Sequence, residues 1–300
     1  MMNSINIFTY NSTDYVREVA KVGTNSDILL YHRKDGDDVM TFTEPVKYPE
    51  KISSLTDSLF PSDVSIINAN NIDRNFGEVI VALDLMEKNN GIIIVNDEKR
   101  DMIKKIISNT NLKNYRLFTG RPMELMDELK KIQIKRNADK NLTVIDHFFK
   151  VKGVGTVALG FVLSGKIEKH QKVIISDIDR EIEIKSIQMN DVDVETAGAG
   201  SRVGLALKNI DPSDIDRGMI LSDKPFEYQN EINGKVNVHS TVRTELSDNY
   251  EVFLSDMMRY QRGKFENDKI IFENKIPVIK KNVVLASNNI IPRVFGTIDF

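Results

Sequence analysis

Three hundred residues carry 41 Lys and Arg against 44 Asp and Glu, a net charge of −3, and no cysteine. That excludes disulfides, thiolate metal sites, iron–sulfur clusters and a cysteine nucleophile, and the balance is not that of an evident polyanion binder. No apolar run approaches the roughly 18 residues of a membrane span, and the first residues do not resemble a signal peptide. The expectation is therefore a soluble, cytoplasmic chain with no membrane partner. The four histidines, His32, His147, His170 and His239, are too scattered to read as a metal set.

In chain order, strand-like runs at residues 5–9, 28–32, 39–43, 64–68, 92–95 and 115–118 alternate with helix-like runs at 14–22, 50–59, 76–88, 99–109 and 123–132. Val79, Leu83 and Met86 fall on one helical face. Strands alternating with helices predict a parallel sheet covered on both faces, so residues 1–140 read as an α/β domain. Asp35-Gly36-Asp37-Asp38 lacks the later ligands of a calcium loop and reads as a turn. Residues 135–141 are polar and charged and read as a linker.

Residues 141–224 change in texture. Runs at 172–176 and 181–187 alternate apolar and polar residues, 177–180 supplies a hairpin turn, and glycines punctuate the whole stretch. No long helical pattern appears, and closure into a small β-barrel hides the strand edges. Residues 225–300 are again β-rich and predict a second barrel. The three segments hold 20 basic and 21 acidic, 11 and 13, and 10 and 10 residues, so none is strongly charged.

The run Asp146-His147-Phe148-Phe149-Lys150-Val151-Lys152-Gly153-Val154-Gly155-Thr156-Val157, then Gly160 and Leu163-Ser164-Gly165-Lys166-Ile167, resembles the second domain of elongation factor Tu-type translation GTPases. Ser186-Ile187-Gln188-Met189, the run from Ala199 to Leu207, Asp211-Pro212 and the run from Ile215 to Leu221 continue the resemblance in register. The wording around Lys152–Val157 and Arg202-Val203-Gly204 is most similar to the selenocysteine-specific branch, and Arg293-Val294-Phe295-Gly296 fits a closing strand of the third domain. The resemblance implies a GTPase-like α/β domain followed by two small β-barrels. Gly153 and Gly155 are expected where strands turn a barrel corner, which only glycine does without strain, so Gly155→Val should destabilise.

In that family the first domain is a nucleotide switch, and its motifs fail here one by one. A phosphate loop needs G-x-x-x-x-G-K-S/T; in register the glycines become Thr9 and Asp14, the lysine Tyr15 and the hydroxyl Val16. The D-x-x-G site reads Glu44 to Lys47, and the histidine the family associates with the hydrolytic water becomes Tyr48. The N-K-x-D site reads Asn96, Asp97, Glu98, Lys99, and a lysine cannot accept from the guanine base. The expectation is a degenerate, non-hydrolysing domain with no catalytic residue, no cofactor and no metal.

The resemblance further implies that the second domain offers a pocket for the acylated end of a transfer RNA, with Gln188, Met189, Arg202 and Gly204 around it. The plainer reading of Gln188 and Met189 is an ordinary strand position. Arg202→Ala is expected to weaken acylated-RNA binding while leaving stability within about 1 kcal/mol, as for a surface change. Arg259, Tyr260 and Arg262 alternate cations with an aromatic, a pattern that stacks unpaired bases for about 1–3 kcal/mol each; the alternative is an exposed hairpin tip with Gly263 at its turn. The leading expectation is an elongation-factor-like protein that binds transfer RNA or a ribosomal or translation-factor partner without GTP. An atypical GTP-binding elongation factor and a regulatory or structural subunit without RNA contact stand as alternatives.

Overall fold

A computed structural model describes residues 3–136, 139–280 and 282–299. The first segment runs β1 (Asn3–Tyr10), α1 (Thr13–Val19), β2 (Lys21–Asn25), β3 (Leu29–Asp35), β4 (Asp38–Glu44), α2 (Ile52–Leu59), β5 (Val64–Asn68), α3 (Arg74–Leu85), β6 (Gly91–Ile94), α4 (Arg100–Ile107), β7 (Arg116–Phe118) and α5 (Pro122–Leu129). Its seven strands lie in the order β2-β3-β4-β1-β5-β6-β7. From β4 to β7 across the sheet all pairings are parallel, while β2 and β3 pair antiparallel.

Alternation along the parallel strands fills both faces, because successive side chains point to opposite sides. Ile7, Ile66 and Ile92 join α1 and α5 in one apolar cluster, and their neighbours Phe8, Ile67 and Ile93 join α2, α3 and α4 in the other. Helix α3 starts where the Asp73 carboxylate accepts from the Phe76 N–H at 2.8 Å, an N-cap bond. The run 14–22, expected as one helix, splits: α1 ends at Val19, Ala20 is extended, and the chain pairs with β3 from Lys21. The Val22-Gly23-Thr24 sequence favours strand over helix, and β3 supplies the ladder partner.

The second segment comprises β8 (Leu142–Val151), β9 (Gly155–Ser164), β10 (Lys166–Glu168), β11 (Lys172–Ile175), β12 (Arg180–Met189), β13 (Val192–Val194), β14 (Thr196–Gly198), β15 (Arg202–Lys208) and β16 (Ile220–Ser222). The order β11-β16-β8-β9-β15-β12 closes through a β11–β12 pairing, with β13 added beside β12. Gly153 and Gly155 have φ of +82° and +107°; they sit in the β8–β9 hairpin turn rather than at a barrel corner.

The third segment holds β17 (Glu227–Asn233), β18 (Lys235–Val238), β19 (Tyr250–Asp256), β20 (Arg259–Glu266), β21 (Lys269–Val278), β22 (Asn282–Ala286) and β23 (Val294–Asp299). Its order is β17-β21-β20-β19-β22-β23-β18. The two edge strands are separated in the chain only by Gly234, so one bent segment forms both edges and the backbone itself closes the barrel.

The three segments are fastened by ion pairs: Arg217 on Asp27 at 2.6 Å, Arg293 on Glu78 at 2.5 Å, and Arg259 with Asp177. Of the stretch expected to be a linker, Asn137 and Ala138 lie outside the described residues. Arg136 is anchored on Asp63 and on the Ser4 carbonyl at 2.6 Å. Among the described residues no helix is long and apolar enough to cross a membrane.

Candidate functional site

In an open α/β sheet, ligands settle beyond the carboxyl ends of the strands where the strand order reverses. Here that point lies at the end of β1, between β4 and β5. The connection from β1 to α1 is only Asn11 and Ser12, with Asn11 at φ +54°. Thr9 and Ser12 bond to each other through their hydroxyls. Val16 is fully buried in the core, Asp14 is exposed, and the Tyr15 hydroxyl donates to the Gly120 carbonyl at 3.1 Å, joining α1 to the loop after β7.

The acidic residue at the end of β4 is also occupied. Glu44 accepts from the Thr13 hydroxyl and, at 2.6 Å, from the Tyr31 hydroxyl. Lys47 is exposed. Tyr48 is buried; its hydroxyl lies 2.9 Å from the Asn75 carbonyl and 3.0 Å from Glu78 Oε2. Glu78 in turn receives the Arg293 guanidinium and backbone N–H of the third segment. Burial works against the Glu78 charge, yet Arg293 holds its carboxyl below the ordinary range.

After β6, Asn96 caps the following turn by accepting from the Lys99 N–H at 3.2 Å. Its own N–H donates to Asn70 Oδ1 at 3.2 Å, and the Lys99 ammonium donates to the Asn70 carbonyl. Asp97 pairs with Arg100 at 2.8 Å. At the carboxyl edge of the sheet these side chains tie one loop to the next.

A second place is open. A cleft of about 980 Å³ runs between the β2–β4 corner of the first segment and the β12–β15 face of the barrel. All four residues expected there, Gln188, Met189, Arg202 and Gly204, line it. Gln188 is exposed and faces Gly204 across the ladder, where the missing side chain leaves room; its amide donates to Asp193 at 2.9 Å. Met189 is 7% exposed and belongs to the barrel core as well.

Arg202 is not the surface residue expected. Its side chain is 10% exposed, it pairs with the fully buried Asp146, and it lies 4.6 Å over the Phe161 ring. Its Nη2 has no partner among the described residues. Asp146 also meets His147 Nδ1 at 2.9 Å. Burial opposes the Asp146 charge, but the Arg202 charge and the bonds from His147 and Arg202 hold the carboxyl below its usual range.

The first-segment wall of the cleft was not foreseen. Lys21, Arg33 and Lys34 join Arg202 there, with Asp191 lining it too; Arg33 is already bonded to Asp35 at 3.1 Å and to the Val19 carbonyl at 2.8 Å, whereas Lys21 and Lys34 are exposed. His32 stands in the same wall, and burial followed by the Arg202 charge pushes its pKa down. The one sequence signal was the strand-forming Val22-Gly23-Thr24 at the end of the supposed helix.

The other expected group does not converge. Arg259, Tyr260 and Arg262 lie within β20, and the turn falls at Asn267 and Asp268 rather than at Gly263. Arg259 is consumed by Asp177 at the joint between barrels. Tyr260 stacks on Phe253 with ring centroids 4.6 Å apart and packs against the first-segment core. Arg262 alone is exposed, bonded to Glu251 at 2.6 Å.

Comparison with known proteins agrees with this architecture. Residues 155–222 match the family described as elongation factor Tu domain 2. An uncharacterized protein of Methanocaldococcus jannaschii is 34% identical over 242 residues, covering 79% of each chain. The selenocysteine-specific elongation factor of the same organism is 36% identical over 202 residues, 60% of this chain and 43% of that one. The chain thus spans less than half the length of that relative. Among solved structures, translation elongation factor SelB from Methanococcus maripaludis, in complex with the GTP analogue GppNHp, superposes with a TM-score of 0.81 at 20% identity, over 100% of this chain and 79% of that one. With the barrel motif, the three-body fold and these relatives in agreement, the chain belongs to the elongation factor Tu-type translation GTPase family, close to its selenocysteine-specific branch.

Proposed function

We propose that this chain is a nucleotide-independent, non-hydrolysing factor of the translation apparatus, and that it holds the acylated end of a transfer RNA in the cleft between the first domain and the first barrel. The observation that carries the reading is the contrast between the two places. The two-residue β1–α1 connection and the engaged Glu44 and Tyr15 leave little with which to cradle phosphates, while the cleft on the barrel stays open and lined by cations. Phosphate-loop chemistry needs a run of backbone N–H groups and a lysine; here the lysine position is a tyrosine bonded to Gly120. In the cleft, the exposed Lys21 and Lys34 suit a polyanion, and the exposed Gln188 suits a ribose or base edge.

Binding of aminoacylated and deacylated transfer RNA is measured across a salt series without nucleotide. Acylation-dependent binding that weakens with salt is expected, because phosphate contacts release counterions. No binding to either form overturns the RNA assignment and leaves a factor-shaped protein used for protein contacts. Calorimetric titration with GTP or GDP tests the other half; Mg²⁺-dependent binding at about micromolar Kd overturns it.

A further inference from the structure

The cations that bridge the three segments each meet a carboxylate: Arg217 meets Asp27, Arg259 meets Asp177 and Arg293 meets Glu78. Lys88 and Lys280 do not. Both line a cavity of about 340 Å³ between the end of α3 and strands β19 and β22 of the third domain. Lys88 Nζ donates to the carbonyl oxygens of Phe60 at 3.0 Å and Ser62 at 2.7 Å, and Lys280 Nζ lies 4.7 Å over the Phe60 ring. Among the described residues neither reaches a carboxylate at ion-pair distance.

We propose that this cavity binds a small tetrahedral oxyanion of the phosphate type between the Lys88 and Lys280 ammonium groups, and that its occupancy fastens the first domain onto the third. Both lysines border this one partly enclosed space, and a dianion there would draw on both ammonium groups, since Coulomb attraction strengthens as solvent is excluded. Burial first, and then the Lys280 charge, lower the Lys88 pKa to about 7 against the pull of Asp63, so an anion in the cavity would also favour the charged form of Lys88. Ser255 and Asn282 line the same cavity and offer neutral donors.

Two acidic residues also face it. Glu87 is exposed. Asp256 is pushed up to about 6 by burial, which the Lys280 charge and the Met257 N–H only partly offset. Asp256 therefore opposes an anion, which gives the proposal a signature that general salt effects lack. The site lies away from the transfer-RNA cleft, and the inference does not depend on RNA binding.

The test is calorimetric titration of the full chain with orthophosphate at constant ionic strength, repeated with ribose 5-phosphate. Binding at about millimolar Kd or tighter is expected. Lys280→Met, at an exposed position, should weaken it by about tenfold or more, as for loss of a charged hydrogen-bond donor. Lys280→Arg, which keeps the charge, should stay within about threefold of the parent. Asp256→Asn should bind at least as tightly as the parent. Equal binding of both ligands assigns the site to a terminal phosphoryl group, and binding of orthophosphate alone assigns it to the free ion. The proposal is overturned if orthophosphate does not bind, if Lys280→Met binds like the parent, or if Asp256→Asn loses as much affinity as Lys280→Met.

Discussion

Arg202 joins fold and site in one side chain. Its partner Asp146 is buried to 1% exposure, so removing the guanidinium strands a carboxylate in the barrel wall. Breaking such a pair typically costs about 3–5 kcal/mol. Arg202→Ala is therefore expected to lower the urea midpoint substantially, and any loss of RNA binding would be inseparable from that damage. Gln188 is the cleaner probe, being exposed with its amide on Asp193. Gln188→Ala should leave stability within about 0.5 kcal/mol. It should weaken acylated transfer RNA about fivefold, the worth of one hydrogen bond of about 1 kcal/mol. An unchanged Kd with an unchanged urea midpoint would remove Gln188 from the cleft's recognition surface.

Among the elements, the β8–β9 hairpin separates two costs that a glycine conceals. At Gly155 the φ of +107° is unfavourable for any side chain, yet nothing lies within 4 Å of an added Cβ. Gly155→Val should thus cost about 1–3 kcal/mol from backbone strain alone. At Gly160 an added Cβ would stand 2.3 Å from the Val144 carbonyl oxygen of the neighbouring strand. Gly160→Ala must push β8 away, and its unfolding midpoint should fall below that of Gly155→Ala. The reverse order would mean that β8 yields more readily than the turn. The same elements tell how far the sequence could be read. Strands with clean alternation were legible, and so was the barrel motif, because their periodicity is local. Strand β2 was hidden because Val22 extended the apolar spacing of α1. Gly263 drew the turn away from Asn267 and Asp268, although their φ values of +47° and +61° are those Asn and Asp tolerate in a tight hairpin. The burial of Arg202 was not legible, since Asp146 lies 56 residues earlier and only the pairing of β8 and β15 on either side of β9 unites them.

At the scale of the whole molecule, the three segments meet around α2, which packs on β19 and β20 and presents Asp57 to Arg217 of the first barrel. Arg217 Nη1 lies 2.6 Å from Asp27 but 3.8 Å from Asp57, so its charge serves Asp27 first. Asp57 is 3% exposed, and among the described residues neither its Oδ1 nor the hydroxyl of nearby Tyr260 has a hydrogen-bond partner. Burial raises the Asp57 pKa from 3.8 to about 7, only partly offset by the Arg217 charge, with the Asp27 charge adding to the rise and Lys51 opposing it. The folded chain then holds a proton there that the unfolded chain has released, so the slope of stability with pH is negative across that window. The contribution is fully present below about pH 4, the ordinary aspartate range, and is lost as pH rises through about 7. Asp27 behaves oppositely: burial opposes its charge, but Lys51 and Arg217 hold it well below the ordinary range, so its contribution is lost only in acid. Between pH 5 and 8 the thermal midpoint should therefore fall more steeply for the parent than for Asp57→Asn, which carries no proton to lose. Because Asp57 lies between segments, amide exchange in α2 and β20 should accelerate with pH beyond the chemical rate in the parent and not in Asp57→Asn. Parallel pH profiles for the two proteins would show instead that Arg217 keeps Asp57 ionised throughout and that the junction is insensitive to protons.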